Sequence, residues 1–571
     1  QSTLQLQKKG LLDSSQRSCL PPHCSSIIRG QGTHPALPLN DAQAAALSRI
    51  RSSADGFAVT LLEGVTGSGK TEVYLHAIDA TLAAGQQALV LVPEIGLTPQ
   101  TIARFSSRFA CAIAVFHSGL SDKERLAAWL AVRSGEASII IGTRSAVFAP
   151  CPQPGLIIVD EEHDTSYKQQ DGLRYSARDV AVMRGQLQAI PVLLGSATPA
   201  LETLYNAREH KYQHCQLPSR AGTAQKPALQ FVDLRKLALH EGFSDTALSA
   251  IGDTLQRGRQ AMVFINRRGF APLLMCHDCG WYAGCEHCDA RLTLHQRAQQ
   301  LRCHHCDFRC AVPSRCTRCQ STRLLRMGHG TERSHEALAA LFPGAEIVRI
   351  DRDSSSGKQA LQAKLDRINQ QQALVIVGTQ MLAKGHHFTA LDTVVMLDID
   401  QGLYNPDFRG TEKTLQLMEQ VAGRAGRGAQ AGQVIVQTHL PDHPIMRAWG
   451  ERGYHGICGD LLVERQARML PPYCYMALLR ADCSSPERAM GFLQSLQRQL
   501  SRHSNPAVQC IGPMPALMER RGGRHRAQLM FKSPHRQPLH ALLDTVVAHI
   551  GQSKLPAGLR WSIDVDPQES V

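Results

Sequence analysis

The chain has 571 residues, 43% of them hydrophobic and 19% charged, with a formal net charge of +13. That length favours two or more domains, the composition excludes a disordered chain, and no apolar run reaches the roughly 18 residues of a spanning helix, so no membrane partner is expected. The positive surplus suits a polyanion, because each neutralised phosphate releases counterions; with aromatics at 5%, backbone electrostatics should outweigh base stacking.

The opening residues, QSTLQLQKKGLLDSS, start with Gln and read as the tail of a helix. They hold no apolar core or cleavage site. A cytoplasmic piece without its N-terminal module is expected. Short runs rich in Val, Ile and Leu then recur, each ending in small or polar residues before a helical stretch: FAVTLLEG (57–64), QALVLVPE (87–94), SIIIGTRS (138–145), GLIIVDEE (155–162) and PVLLGSAT (191–198). Buried parallel strands read this way, and chemistry belongs at their carboxyl ends.

The first run leads into GVTGSGKT, a complete G-x-x-x-x-G-K-T in strand–loop–helix context. Gly64, Thr66, Gly67, Ser68 and Gly69 wrap backbone N–H groups around phosphates, Lys70 reaches the β- and γ-phosphates, and Thr71 offers its hydroxyl to Mg²⁺. ATP or ADP with Mg²⁺ is the expected ligand. An isolated D-E-E is commonly an acidic surface turn. After an apolar strand and beside a phosphate loop, Asp160 becomes the expected Mg²⁺ carboxylate and Glu161 the group that orients water.

A second series follows: QAMVFINRRG (260–269), ALVIVGTQ (373–380), TVVMLDID (393–400) and GQVIVQTH (432–439). Two α/β sheets imply two lobes with a cleft between them. Thr143 and Arg144 end a strand in one lobe, as Thr379 and Lys384 do in the other; all four suit successive DNA phosphates, with helix capping the alternative for the threonines. In DTSYKQQDGLRYSARD (164–179), Tyr167, Lys168, Arg174 and Tyr175 suit bases and phosphates of single strands.

Nine of the 18 cysteines lie between Cys276 and Cys319 and interrupt the second series. Eight form C-x-x-C pairs: Cys276/Cys279, Cys285/Cys288, Cys303/Cys306 and Cys316/Cys319. Eight thiolates suit two Cys₄ sites, hence two Zn²⁺, and the spacing leaves the pairing open. From about 441 the pattern changes to mixed helix and strand, with basic segments such as ERRGGRHR (519–526) that read as a solvated strand.

In order, DEEH, GSATP and QVAGRAGR resemble the motif series of superfamily 2 helicases. LVPEIGLTPQ, GTRSA, DEEHDTSYKQQ, NRRGFAP, GTQMLAKGHHF and the cysteine insert resemble the PriA family of replication-restart helicases from about residue 36 onward. The resemblance implies two RecA-like lobes, at 36–219 and at 220–275 plus 326–440. It further implies a zinc insert at 276–325, an α+β C-terminal domain at 441–571, and the end of a winged-helix module within 1–35.

It also implies a role for Arg424 and Arg427 across the cleft from the nucleotide, with Arg427 the finger on the γ-phosphate, and for Gln43 at the adenine edge. GSATP would link nucleotide state to DNA grip, and the loop after DEEH would sense single strands. The outer cysteine pairs would share one zinc and the inner pairs the other. The implied activity is 3′→5′ unwinding of forked DNA at abandoned replication forks, leading to primosome assembly. Implied partners are single-stranded and forked DNA, other primosome proteins, and the acidic tail of single-stranded-DNA-binding protein on Arg524 and Gln528. Leu173 departs from the family's Trp, which predicts weaker single-strand stimulation, and His525 and Ala527 stand about where the family has aromatics. Rival readings are an RNA-remodelling ATPase and a zinc-bearing DNA-binding scaffold.

Overall fold

The computed structural model describes residues 25–569 apart from 53–55, 95–96, 221–226, 267–273, 287–291, 296–299, 304–307, 327–330, 352–357, 371, 384–387, 404–406, 427–431 and 502–505. Eight strands build the first sheet: β1 (Ile27–Arg29), β2 (Val59–Gly64), β3 (Gln87–Leu91), β4 (Ala112–Phe116), β5 (Ala137–Gly142), β6 (Pro154–Asp160), β7 (Val192–Ser196) and β8 (Gln213–Leu217). Their order is β1-β4-β5-β3-β6-β7-β2-β8, parallel except for β1. β6, β7 and β2 are therefore neighbours, and their carboxyl ends carry Asp160, Ser196 and Gly64 side by side. Every residue of β2 is buried, as expected of a sheet covered on both faces.

The second lobe starts with β9 (Ala228–Asp233) and β10 (Gln260–Ile265). The chain then leaves through the cysteine-rich insert: β11 (Leu274–Cys276), β12 (Thr293–His295), β13 (Gln300–Arg302), β14 (Arg309–Ala311) and β15 (Leu324–Arg326). It returns as β16 (Glu346–Ile350), β17 (Leu374–Gly378), β18 (Leu391–Leu397) and β19 (Gln433–Thr438). The lobe sheet runs β16-β17-β10-β18-β19-β9, all parallel. In the insert, β11 pairs with β15, and β12 to β14 form a meander. These three-residue strands surround a small cluster of Leu274, Ala283, Leu292, Leu294, Leu301 and Cys303.

The C-terminal sheet is antiparallel: β20 (Tyr475–Cys483), β21 (Gln509–Arg521), β22 (Arg524–Ser533) and β23 (Arg560–Val565), in the order β21-β22-β20-β23. Helices Pro486–Leu500 and Arg536–Gln552 pack Leu493, Leu496, Leu539 and Val546 onto it. The helix Pro444–Ala467, just beyond the boundary expected at 441, buries Met446, Trp449, Tyr454 and Ile457 in a cluster shared with both lobes. The core of the C-terminal unit itself begins with β20.

Candidate nucleotide site and zinc centre

The phosphate loop joins β2 to the helix Lys70–Ala83. Gly67 and Gly69 have φ of 85° and 83°, a left-handed backbone that glycine adopts without strain. At Gly64 a Cβ would meet Ser68 Oγ at 2.4 Å, so the loop closes only over glycine. Gly69 caps the helix without a side chain, leaving the N-terminal N–H groups to an anion. Lys70 Nζ donates to Gly64 O at 2.7 Å. Buried Gln43 accepts from Asn40 N at 3.0 Å and donates to Ser68 O at 2.8 Å. Its amide braces the phosphate loop.

At the end of β6 four consecutive residues have different surroundings. Tyr74 Oη donates to Asp160 Oδ1 at 2.9 Å, and Tyr167 Oη to the Asp160 carbonyl at 2.6 Å. Enclosure, then the charge of Glu161, pushes the Asp160 carboxyl up to about 6 against the opposing pull of Lys70. Glu161 has φ 47°, an uncommon conformation for a residue with a side chain. Glu162 is buried and accepts from Ala200 N at 2.7 Å, Thr203 Oγ1 at 2.8 Å and Arg178 Nη1 at 3.1 Å. His163 Nε2 lies 2.6 Å from Gln420 Nε2, and His163 Nδ1 lies 2.7 Å from Ser196 Oγ.

The second lobe meets this edge along the helix Gly410–Ala422. Glu412, Gln416 and Gln420 fall on one face at i, i+4 spacing. Glu412 Oε1 accepts from Leu201 N at 2.9 Å, and Gln416 Nε2 donates to Thr198 O at 3.2 Å. Arg409 and Arg465 both meet Glu202, and Arg465 also pairs with Glu412. A Cβ at Gly423 would lie 2.7 Å from Thr66 Cβ, so the arginine motif touches the phosphate loop. Enclosure lowers the Arg424 guanidinium to about 10 against the pull of Glu161, and it stays charged at neutral pH. Arg427 lies outside the described residues. The sequence reading missed Glu202, Arg409, Glu412, Gln416 and Arg465, although the i, i+4 polar stripe in a buried helix was a usable signal.

The loop after DEEH corrects two expectations. Tyr167 is 2% exposed, and its hydroxyl is spent on the Asp160 carbonyl, so it offers no face to a base. Lys168 is 4% exposed. Its ammonium lies 2.9 Å from Asp564 Oδ1 and donates to Val565 O at 2.6 Å, which ties the loop to β23. Arg144 donates to Ser166 O and Lys168 O at 3.1 and 3.2 Å. Arg174 and Tyr175 remain half-buried, and the Tyr175 ring stands edge-on to Phe148 at 4.9 Å. Thr143 makes no side-chain cap. Thr379 is half-buried at the end of β17, and Lys384 lies outside the described residues.

The Sγ atoms of Cys276, Cys279, Cys316 and Cys319 all lie within 4.8 Å of one another. The Cys276–Cys319 and Cys279–Cys316 edges are 3.6 and 3.7 Å. A tetrahedron with Zn–S bonds of about 2.3 Å has edges of about 3.8 Å, so the cluster fits zinc. The outer C-x-x-C pairs thus come together. Of the inner set, Cys285 and Cys303 are described, while Cys288 and Cys306 are not. At the nucleotide site, Asp160 and the Thr71 hydroxyl are the hard oxygen donors Mg²⁺ takes. A carboxyl raised to about 6 is one that a cation would return to its charged form.

In the C-terminal sheet, Arg524 Nε donates to Asp482 Oδ1 at 2.6 Å and Nη2 to the Asp482 carbonyl at 3.0 Å. Gln528 is 1% exposed, and its Nε2 has no hydrogen-bond partner among the described residues. Gln528 lies on the face opposite Ala527 and Leu529, in register with Arg480, and is buried there, so it is not the surface contact expected of it.

Residues 40–207 match the DEAD/DEAH box helicase family and residues 318–429 the helicase conserved C-terminal domain. Residues 285–310 match the PriA DNA helicase Cys-rich region domain, and 466–568 the primosomal protein N C-terminal domain. The replication restart protein PriA of Haemophilus influenzae is 44% identical over 93% of this chain and 73% of its own length. The PriA proteins of Bacillus subtilis and a Synechocystis species are each 38% identical, over 98% and 99% of this chain and 70% and 69% of their own. Among the described residues no helix is long and apolar enough to cross a membrane. With two parallel-sheet lobes meeting at a phosphate loop and a thiolate cluster in the second, the chain belongs to the PriA replication restart family and is a zinc-binding, ATP-hydrolysing DNA helicase.

Proposed function

We propose that this helicase moves 3′→5′, unwinds branched DNA at stalled or abandoned replication forks, and starts primosome assembly there. The observation that carries the motor reading is the contact of Gly423 with Thr66, together with the His163–Gln420 bond. Both cross the cleft beside the phosphate loop, so nucleotide chemistry and lobe closure share the same atoms. In this reading the N–H groups of Gly64–Thr71 and Lys70 hold the β- and γ-phosphates. Thr71 and Asp160 would hold Mg²⁺, which would supply positive charge beside the phosphates. Glu161 orients the attacking water, and Gln43 steadies the loop near the base. Arg424 supplies positive charge from the second lobe, and Arg427 is assigned the γ-phosphate.

Thr143, Arg144, Arg174, Tyr175, Thr379 and Lys384 are the proposed DNA contacts, with Tyr167 and Lys168 acting from behind the loop. Cys276, Cys279, Cys316 and Cys319 would hold one Zn²⁺, and Cys285, Cys288, Cys303 and Cys306 a second. Arg524 carries the proposed contact to the acidic tail of single-stranded-DNA-binding protein. The test is unwinding of partial duplexes carrying a 3′ or a 5′ single-stranded tail, beside a fork. Translocation 3′→5′ predicts displacement from the 3′-tailed duplex and the fork; displacement from the 5′-tailed substrate alone contradicts it.

A further inference from the structure

Asp160 is gripped at two points by tyrosines from different parts of the first lobe. Tyr74 lies one helical turn after Lys70, 2% exposed, and its hydroxyl reaches Asp160 Oδ1 at 2.9 Å. It passes under β7 at Gly195, where a Cβ would sit 1.6 Å from the Tyr74 hydroxyl. No residue other than glycine at 195 leaves that path open. With Oδ1 held, rotation about the Cβ–Cγ bond is restrained, which favours one direction for Oδ2. Tyr167, at the start of the loop after DEEH, holds the backbone of the same residue through its carbonyl at 2.6 Å.

We propose that Tyr74 and Tyr167 are positioning residues for the metal-binding carboxylate: Tyr74 fixes the side chain of Asp160, and Tyr167 fixes the peptide that bears it. Glycine at 195 is then a requirement of the metal site as well as of the sheet. Because Tyr167 rides on a loop also tied to Arg144 and to Asp564, a shift of that loop reaches the metal ligand through one hydrogen bond. The inference rests on the assignment of Asp160 to Mg²⁺.

The test is Mn²⁺ binding by electron paramagnetic resonance, with a non-hydrolysable ATP analogue present, for wild type, Tyr74→Phe, Tyr167→Phe and Asp160→Asn. Tyr74→Phe removes one hydrogen bond to a charged acceptor, so Mn²⁺ affinity should fall roughly tenfold or more. The half-saturating Mg²⁺ in ATP hydrolysis should rise in step, while metal-free nucleotide affinity stays unchanged. Tyr167→Phe loses a bond to a neutral carbonyl and should show roughly a threefold change. Wild-type Mn²⁺ affinity in Tyr74→Phe, with Asp160→Asn impaired, overturns the tyrosine proposal and leaves the metal assignment standing. Wild-type affinity in Asp160→Asn removes the assignment itself. Should Tyr74→Phe fail to fold by circular dichroism, Tyr167→Phe decides by the same criterion.

Discussion

The nucleotide cleft and the cysteine-rich insert lie in one chain but are held in different ways. Behind the cleft stand two largely parallel sheets in which β2, β10 and β17 are wholly buried, so the polar atoms at the strand ends are carried by a frame that would exist without them. The insert has three-residue strands, one small apolar cluster and four thiolates at tetrahedral spacing. In the cleft, losing a ligand should change chemistry and spare the fold. In the insert, losing a ligand should change the fold and spare the chemistry.

The largest expected effect is in the insert. Structural zinc sites in small peptides contribute on the order of 10–16 kcal/mol of apparent binding free energy. Cys316→Ser or chelation should therefore release metal and open 276–325 to protease, with ATP hydrolysis in the absence of DNA near wild type. Metal release and limited proteolysis check this. Next comes the seam between the lobes. Glu412→Ala strips buried Arg465 and the Leu201 N–H of a partner, which should lower stability by about 3 kcal/mol, read as a shifted denaturant midpoint. Lys70→Ala should cut ATP hydrolysis by about 10²–10³, the usual loss for one charge-stabilising donor, with an unchanged melting temperature.

The smallest effect is a pH response at the base of the phosphate loop. Glu63 accepts from His214 at 2.8 Å and meets His455 of the helix Pro444–Ala467 at 2.6 Å. The bond to Glu63 raises the His455 pKa. This pair's contribution is complete below the ordinary histidine value and is lost as pH rises through the raised one. Burial opposes the shift at Glu63, but its two histidines hold the carboxyl down at about 2, so that half is lost only as pH falls from the ordinary carboxylate range towards 2. His455→Ala should flatten the decline in stability from pH 6 upward, measured by thermal melting across that range.

What was legible in the sequence followed burial. β2, β3, β5, β6 and β7 are near-continuous apolar runs, and the phosphate loop and DEEH follow from their ends. Edge strands escaped: β1, β8, β9 and β16 carry polar, half-exposed positions that do not separate from loop. β4, AIAVF, is as long and as apolar as β3 but ends in Phe116 and His117 rather than in the small or acidic residues that marked the other runs. The loop 164–179 has no period, so nothing in its letters says that Tyr167 and Lys168 point inward while Leu173, at 73% exposure, points out. Period-two alternation puts Gln528 on the face opposite core residues Ala527 and Leu529, which reads as solvated, and only the folded chain shows that this face is covered at Gln528. The outer thiolate pairing needed three-dimensional distance, since C-x-x-C spacing alone leaves every pairing open.

The most direct test of the central claim, a motor whose nucleotide site is completed across the cleft and coupled to DNA, is steady-state ATP hydrolysis by the zinc-loaded protein. It would be measured without polymer, with single-stranded DNA, with forked DNA and with RNA, using Lys70→Ala as the blank. The account predicts strong stimulation by DNA over RNA that vanishes in the blank. DNA binding with no hydrolysis under any condition, or equal stimulation by RNA, would contradict it.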